Sequence, residues 1–171
     1  MKAPRIHPLV AALSLGFALM AQPVAVNAEN GAKPPLDFEL SDSRQFVKLS
    51  ALPAQITLIN FWRADCPPCV REIPLLARLA DQKQIRIVTI ALQRPAETAM
   101  APSTVLEALN PPLIALHAPG EARGLLARFG NPSGALPHTV ILNSERRLCA
   151  QQTGELTQSS LAAMLSHCTA P

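Results

Sequence analysis

Residues 56–82 read ITLINFWRADCPPCVREIPLLARLADQ, and the fold turns on how this stretch divides. Its opening, Ile56 to Trp62, is a nearly continuous apolar run rich in β-branched side chains, which predicts a strand buried on both faces. From Cys69 to Gln82 the period changes. Val70, Ile73, Ala77 and Ala80 recur at helical spacing, and Leu75, Leu76 and Leu79 widen the stripe. A second apolar run, Ile85 to Leu92 (IRIVTIAL), repeats the composition of the first. Strand, helix and strand in this order predict a βαβ unit with two central parallel strands.

Cys66-Pro67-Pro68-Cys69 falls at the junction of the first strand and the helix. Unpaired N–H groups and the helix dipole favour negative charge there, so a thiolate on Cys66 gains from both. Proline is tolerated in the first turn, where its missing N–H has no partner to lose, so the Pro-Pro pair starts the helix instead of breaking it. One turn brings the two sulfurs within bridging reach. The roles expected are attack by Cys66, at the exposed end, and resolution of the mixed disulfide by Cys69, a turn inward.

Working outward, Leu36 to Leu40 (LDFEL) alternates apolar and polar, and Phe46-Val47 follows a polar turn, which predicts a small N-terminal hairpin. Ser103 to Leu109 and Glu121 to Phe129 read as helices and Leu113 to Leu116 as a short strand. His138 to Asn143 and Arg147 to Gln152 form an expected antiparallel pair, and a last helix begins near Thr157. The sum is an α/β domain, a mixed sheet flanked by helices with a β-hairpin extension at its N-terminal end.

Ahead of this lies an address. Lys2, Arg5 and His7 precede an apolar run from Leu9 to Met20, followed by the small-residue stretch Val26-Asn27-Ala28, the layout of a secretory signal peptide. Residues 1–28 are therefore expected to be a leader, 29–35 a tether and 36–171 the folded domain. The run is shorter than the roughly 20 residues that span a bilayer, so cleavage is favoured over a retained membrane anchor. The 171 residues are 49% hydrophobic, which excludes a disordered chain, and 17 Pro with only 7 Gly and no triplet period exclude a collagen-like one. A net charge of +3 and 4% aromatic residues give too little charge and too few stacking rings for nucleic acid. Export would place all four cysteines where disulfides persist.

The segment NFWRADCPPCVREIP (residues 60–74) resembles the active-site stretch of thioredoxin-fold proteins, above all the exported thiol:disulfide reductases of the TlpA/ResA type. The likeness extends to LDFEL, Pro74, Phe129-Gly130 and Leu136-Pro137 ahead of HTVILN. It implies a thioredoxin-like fold, with Pro137 as a cis-proline facing the CxxC and Leu136 presenting its backbone to a substrate strand. It also implies an upstream membrane or exported dithiol reductant, disulfide-containing protein substrates including apocytochromes, and a bacterial periplasmic location. No GxGxxG or Walker spacing occurs, so no nicotinamide or other cofactor is expected.

Several positions depart from the family pattern. Asp65 replaces the Trp common before the first cysteine, and its charge opposes a Cys66 thiolate while Arg63 partly offsets it. Asn60 and Gln93 stand where relatives carry carboxylates, so Glu72, Glu97, His138 or water would have to move the proton. Glu72 reads first as favourable charge in the opening helical turn. His138 replaces a frequent Thr and could tune Cys66, touch substrate or bind a metal, with a solvated strand-start histidine as the plainer reading. Trp62 is expected as a packing shelf beside the site.

Cys168 falls in the apolar stripe of Leu161, Met164 and Leu165, so it faces inward and can pair, whereas simple alternation puts Cys149 on a face with Arg147 and Gln151. A structural disulfide between them is favoured over two free thiols. Zinc is not expected, because neither has a His at ligand spacing. Two other functions stay open beside the oxidoreductase: a Cu(I) carrier using Cys66, Cys69 and His138, and a binding module whose CxxC is only structural.

Overall fold

The computed structural model describes residues 34–118 and 122–169, so the expected leader and the start of the tether lie outside it. Among the described residues seven strands form one sheet: β1 (Glu39–Ser41), β2 (Phe46–Lys48), β3 (Thr57–Trp62), β4 (Arg86–Ala91), β5 (Ile114–His117), β6 (His138–Leu142) and β7 (Leu148–Thr153). Their spatial order is β2-β1-β5-β4-β3-β6-β7. β3 runs parallel to β4, and β4 to β5, while β6 is antiparallel to β3 and β7 to β6. β1 pairs antiparallel with β2 and meets β5 at Ser41 and His117.

Two apolar layers sandwich the sheet. On one face Leu58, Trp62, Ile87, Ala91 and Ile141 pack against helices α1 (Pro67–Asp81), α3 (Ser103–Ala108) and α5 (Gln158–Thr169) through Cys69, Ile73, Leu76, Val105, Leu161 and Met164. On the other, Ile59, Phe61, Val88, Ile90, Val140 and Leu142 meet Phe38, Leu49, Phe129 and Leu126 of α4 (Arg123–Arg128). β3 is buried along its whole length because helices cover both faces, which is why it shows no alternation. A short helix, α2 (Pro95–Thr98), follows β4 and has no counterpart in the sequence reading, being a single turn with no stripe to detect.

The last pair of strands contains the one irregularity that bears on the cysteines. Ile141 faces Ala150 and Leu142 faces Leu148, so Cys149 is an extra residue at a bulge. The bulge overturns the alternation expected from sequence: Cys149 and Ala150 both pack toward α5, and Leu148 is the residue turned outward, 41% exposed. Cys149 and Cys168 are joined as a disulfide with Cα atoms 5.4 Å apart, tying α5 to the outermost strand β7.

Candidate active site

β3 ends at Trp62, and the chain crosses Arg63, Ala64 and Asp65 before Cys66 caps α1. Pro67 and Pro68 occupy the first helical turn, and the Cys66 sulfur accepts from the Cys69 N–H at 3.4 Å. Cys66 and Cys69 form a disulfide with Cα atoms 5.2 Å apart. Cys66 is partly exposed, whereas Cys69 is fully buried in the apolar layer beneath α1. The cap position places the outer sulfur on the unpaired N–H groups of the helix start.

The loop into α1 is braced from below. Gln93, buried beyond β4, accepts from the Ala64 N–H at 2.9 Å and donates to Thr98 Oγ1 at 3.0 Å. Arg63 donates through Nε and Nη2 to the two oxygens of Asp65, at 2.7 and 2.9 Å, and through Nη1 to the Leu92 carbonyl. That bidentate bond holds the Asp65 carboxyl below the usual carboxylate range. The charge beside Cys66 is therefore an ion pair, with the Asp65 side chain 67% exposed.

Leu136-Pro137 is a cis peptide, ahead of β6. Because His138 pairs with Phe61 near the end of β3, this bond sits at the same end of the sheet from which the chain leaves toward Cys66. Asn131 holds the preceding loop: its amide donates to the Ala135 carbonyl, and its oxygen accepts from Ser133 and the Gly134 N–H. The sequence reading passed over Asn131, although Asn-Pro-Ser-Gly is a turn signal of the kind that fixes a loop.

Glu72 is where expectation and structure part most clearly. It is not a solvated charge in the first turn; it lies one turn beyond Cys69, 2% exposed, under the sheet-facing side of α1. Its Oε2 accepts from Asn60 Nδ2 at 3.0 Å and its Oε1 from the Leu156 N–H. Asn60 in turn donates to Thr139 Oγ1 at 2.9 Å. Burial pushes the Glu72 carboxyl up to about 7, against the pull of its two hydrogen bonds. Asn60 on the strand thus holds a carboxylate delivered by the helix.

His138 is a second correction. It is fully buried, with Nδ1 on Thr153 Oγ1 at 2.8 Å and Nε2 on the Phe129 carbonyl at 2.9 Å. Its ring lies 5.9 Å from that of Phe61, in the layer on the opposite face from Cys69. Both ring nitrogens are engaged, burial pushes the imidazole pKa down, and the ring lies on the face opposite Cys69, so His138 is not placed to complete a copper site with the cysteine pair. Strand alternation decides this: Thr139 faces α1, so its neighbour cannot. Trp62 is buried in the same layer as Cys69, and Glu97 pairs with Arg94 on the surface.

Solved structures share this architecture. A DsbF homologue from Corynebacterium diphtheriae matches with a TM-score of 0.63 at 20% identity, over 81% of this chain and 88% of its own. A secreted Mycobacterium tuberculosis disulfide oxidoreductase homologous to E. coli DsbE matches at 0.59 and 20%, over 75% and 94%. A thio-disulfide isomerase from Thermus thermophilus matches at 0.59 and 26%, over 81% and 96%. The sequence profile of the AhpC/TSA family covers residues 31–150. With a thioredoxin-like sheet, a cysteine pair capping its first long helix and that profile over most of its length, the chain belongs to the AhpC/TSA family.

Proposed function

We propose that this chain is a thiol:disulfide oxidoreductase that reduces disulfides in exported proteins through Cys66 and Cys69. The observation that carries it is the cysteine pair itself, one member partly exposed at a helix N-terminus and the other buried one turn above a buried carboxyl group of raised pKa. In the reduced protein the Cys66 thiolate attacks one sulfur of a substrate disulfide. A bond forms between Cys66 and that sulfur, and the second substrate sulfur leaves as a thiolate. Cys69 then loses its proton to Glu72 and attacks Cys66 Sγ. The intramolecular disulfide forms, the remaining substrate sulfur is released, and two electrons have passed to the substrate.

Glu72 suits this step because its carboxyl titrates near neutral pH and Cys69 has no path to bulk solvent of its own. Leu136 offers its backbone beside the cis-proline to align the incoming segment. The electrons are restored by an upstream dithiol protein, since the chain carries no nucleotide-binding motif. The leader-like N-terminus and the second disulfide support an oxidising, exported setting. Among the described residues no helix is long and apolar enough to cross a membrane. Apocytochromes are one substrate class the resemblance suggests.

The test is reduction of insulin by the dithiol form. Catalysis that disappears in Cys66→Ser is the expected result; a rate equal to that of free dithiol reagent in the wild type contradicts the reading.

A further inference from the structure

A small, partly open cavity of about 10 Å3 lies on the α1 side of the sheet, lined by neither Cys66 nor Cys69. Trp62, Thr89, Thr98, Leu109, Ala115 and His117 are among its lining residues. Three of these carry fully buried polar atoms that find no partner on the protein: Trp62 Nε1, Thr89 Oγ1 and His117 Nε2. The register explains why they converge. Asn60 pairs with Thr89 and Trp62 with Ala91 between β3 and β4, while Ala91 pairs with His117 between β4 and β5. Trp62, Thr89 and His117 therefore project from one face of three adjacent strands. Ala115, opposite Thr89, leaves the space between them open.

The chemistry of the three atoms selects the occupant. Trp62 Nε1 can only donate, and a hydroxyl can do either. His117 uses its other ring nitrogen toward the edge, where the Ser41 backbone and Ser43 Oγ, the latter at 3.4 Å from Nδ1, accept or share its proton. Nε2 of the neutral ring is then an acceptor. Thr98 contributes no free group, since its hydroxyl already binds Gln93 and the Arg94 carbonyl. An indole N–H repels a cation, and a lone-pair nitrogen repels an anion. A volume of this size admits one water molecule, and buried waters take two to four hydrogen bonds.

We infer that this cavity is a binding site for a single structural water, which accepts from Trp62 Nε1, donates to His117 Nε2 and bonds the Thr89 hydroxyl. The water ties the last residue of β3 to β5, two strands away. Trp62 shares its apolar layer with Cys69, so the same bridge fixes part of the floor beneath the CxxC helix.

Trp62 is the only Trp in the chain, which gives the test a single indole signal. A high-resolution crystal structure of the oxidised protein is expected to show one ordered water within about 2.7–3.2 Å of all three atoms. In solution, the Trp62 indole proton is expected to show a cross-peak to a long-lived water in the wild type, lost in Thr89→Val. An empty cavity, or a Thr89 hydroxyl turned to Asn60 Oδ1 with the indole left unpaired, overturns the inference. So does a wild-type indole with no water cross-peak, or a cross-peak that persists unchanged in Thr89→Val.

Discussion

Asp65 stands beside Cys66, yet its charge is spent on Arg63, so the field at Cys66 is set by the pair and the helix start together. Replacing Asp65 by Asn removes the carboxylate and frees the guanidinium. The midpoint of the Cys66 thiolate absorbance titration is expected to fall, by less than about one pH unit at so exposed a site. Glu72 gives a sharper outcome. With Glu72→Gln, the step in which Cys69 resolves a mixed disulfide is expected to slow roughly tenfold or more at neutral pH. Its pH profile should also lose the rise near 7 that the buried carboxyl supplies. Stopped-flow measurement of that step across pH separates this from a folding defect, which would lower all rates without moving the profile. The signal for Glu72 was present in the sequence. It lies three residues after Cys69 and four before Leu76, on the stripe that α1 buries. A helix counted from Cys69 puts it in the first turn, whereas the observed start at Pro67 puts it beyond. The two faces of β6 are harder to read, because nothing in HTVILN says which parity meets α1, and so the sequence alone leaves His138 among the site candidates.

At the scale of elements, β3, α1 and β4 were legible because each is long and strongly patterned, and the CxxC marks the junction between the first two. α1 depends on its buried face. Leu76 is wholly enclosed, and Leu76→Ala is expected to cost about 2–5 kcal/mol in urea unfolding. The β6–β7 pair was legible as a pair but not in its register. A single bulged residue turns Cys149 from the face alternation assigns it to the face that meets α5, and no local signal announces a bulge in RRLCAQQ. The bond from Cys149 to Cys168 closes a loop of about 20 residues, which on the chain-entropy model stabilises by about 3 kcal/mol. The double variant Cys149→Ser/Cys168→Ser is expected to lose that amount in denaturant unfolding while keeping Cys66-dependent reduction. Unchanged stability would mean that packing of Leu161 and Met164 alone holds α5.

For the whole molecule, the buried carboxyl links redox chemistry to stability. Glu72 titrates at about 7 when folded and near 4.5 when not, so the unfolded chain gives up this proton first as pH rises. The contribution is fully present below the lower value and lost as pH rises through the upper one, a decline on the order of 3 kcal/mol. Comparing unfolding midpoints at about pH 5 and about pH 8 should show a smaller decline for Glu72→Gln than for the wild type. Equal declines would place the titration elsewhere. The same carboxyl sits beneath a cysteine pair whose two members differ in exposure, and on that asymmetry rests the proposal that one attacks and the other resolves. It is tested most directly by trapping. Cys69→Ser, mixed with a disulfide-bonded protein substrate, is expected to accumulate a mixed disulfide that peptide mass spectrometry maps to Cys66. A trapped bond through Cys69 in the Cys66→Ser protein, with none through Cys66 in Cys69→Ser, would contradict it.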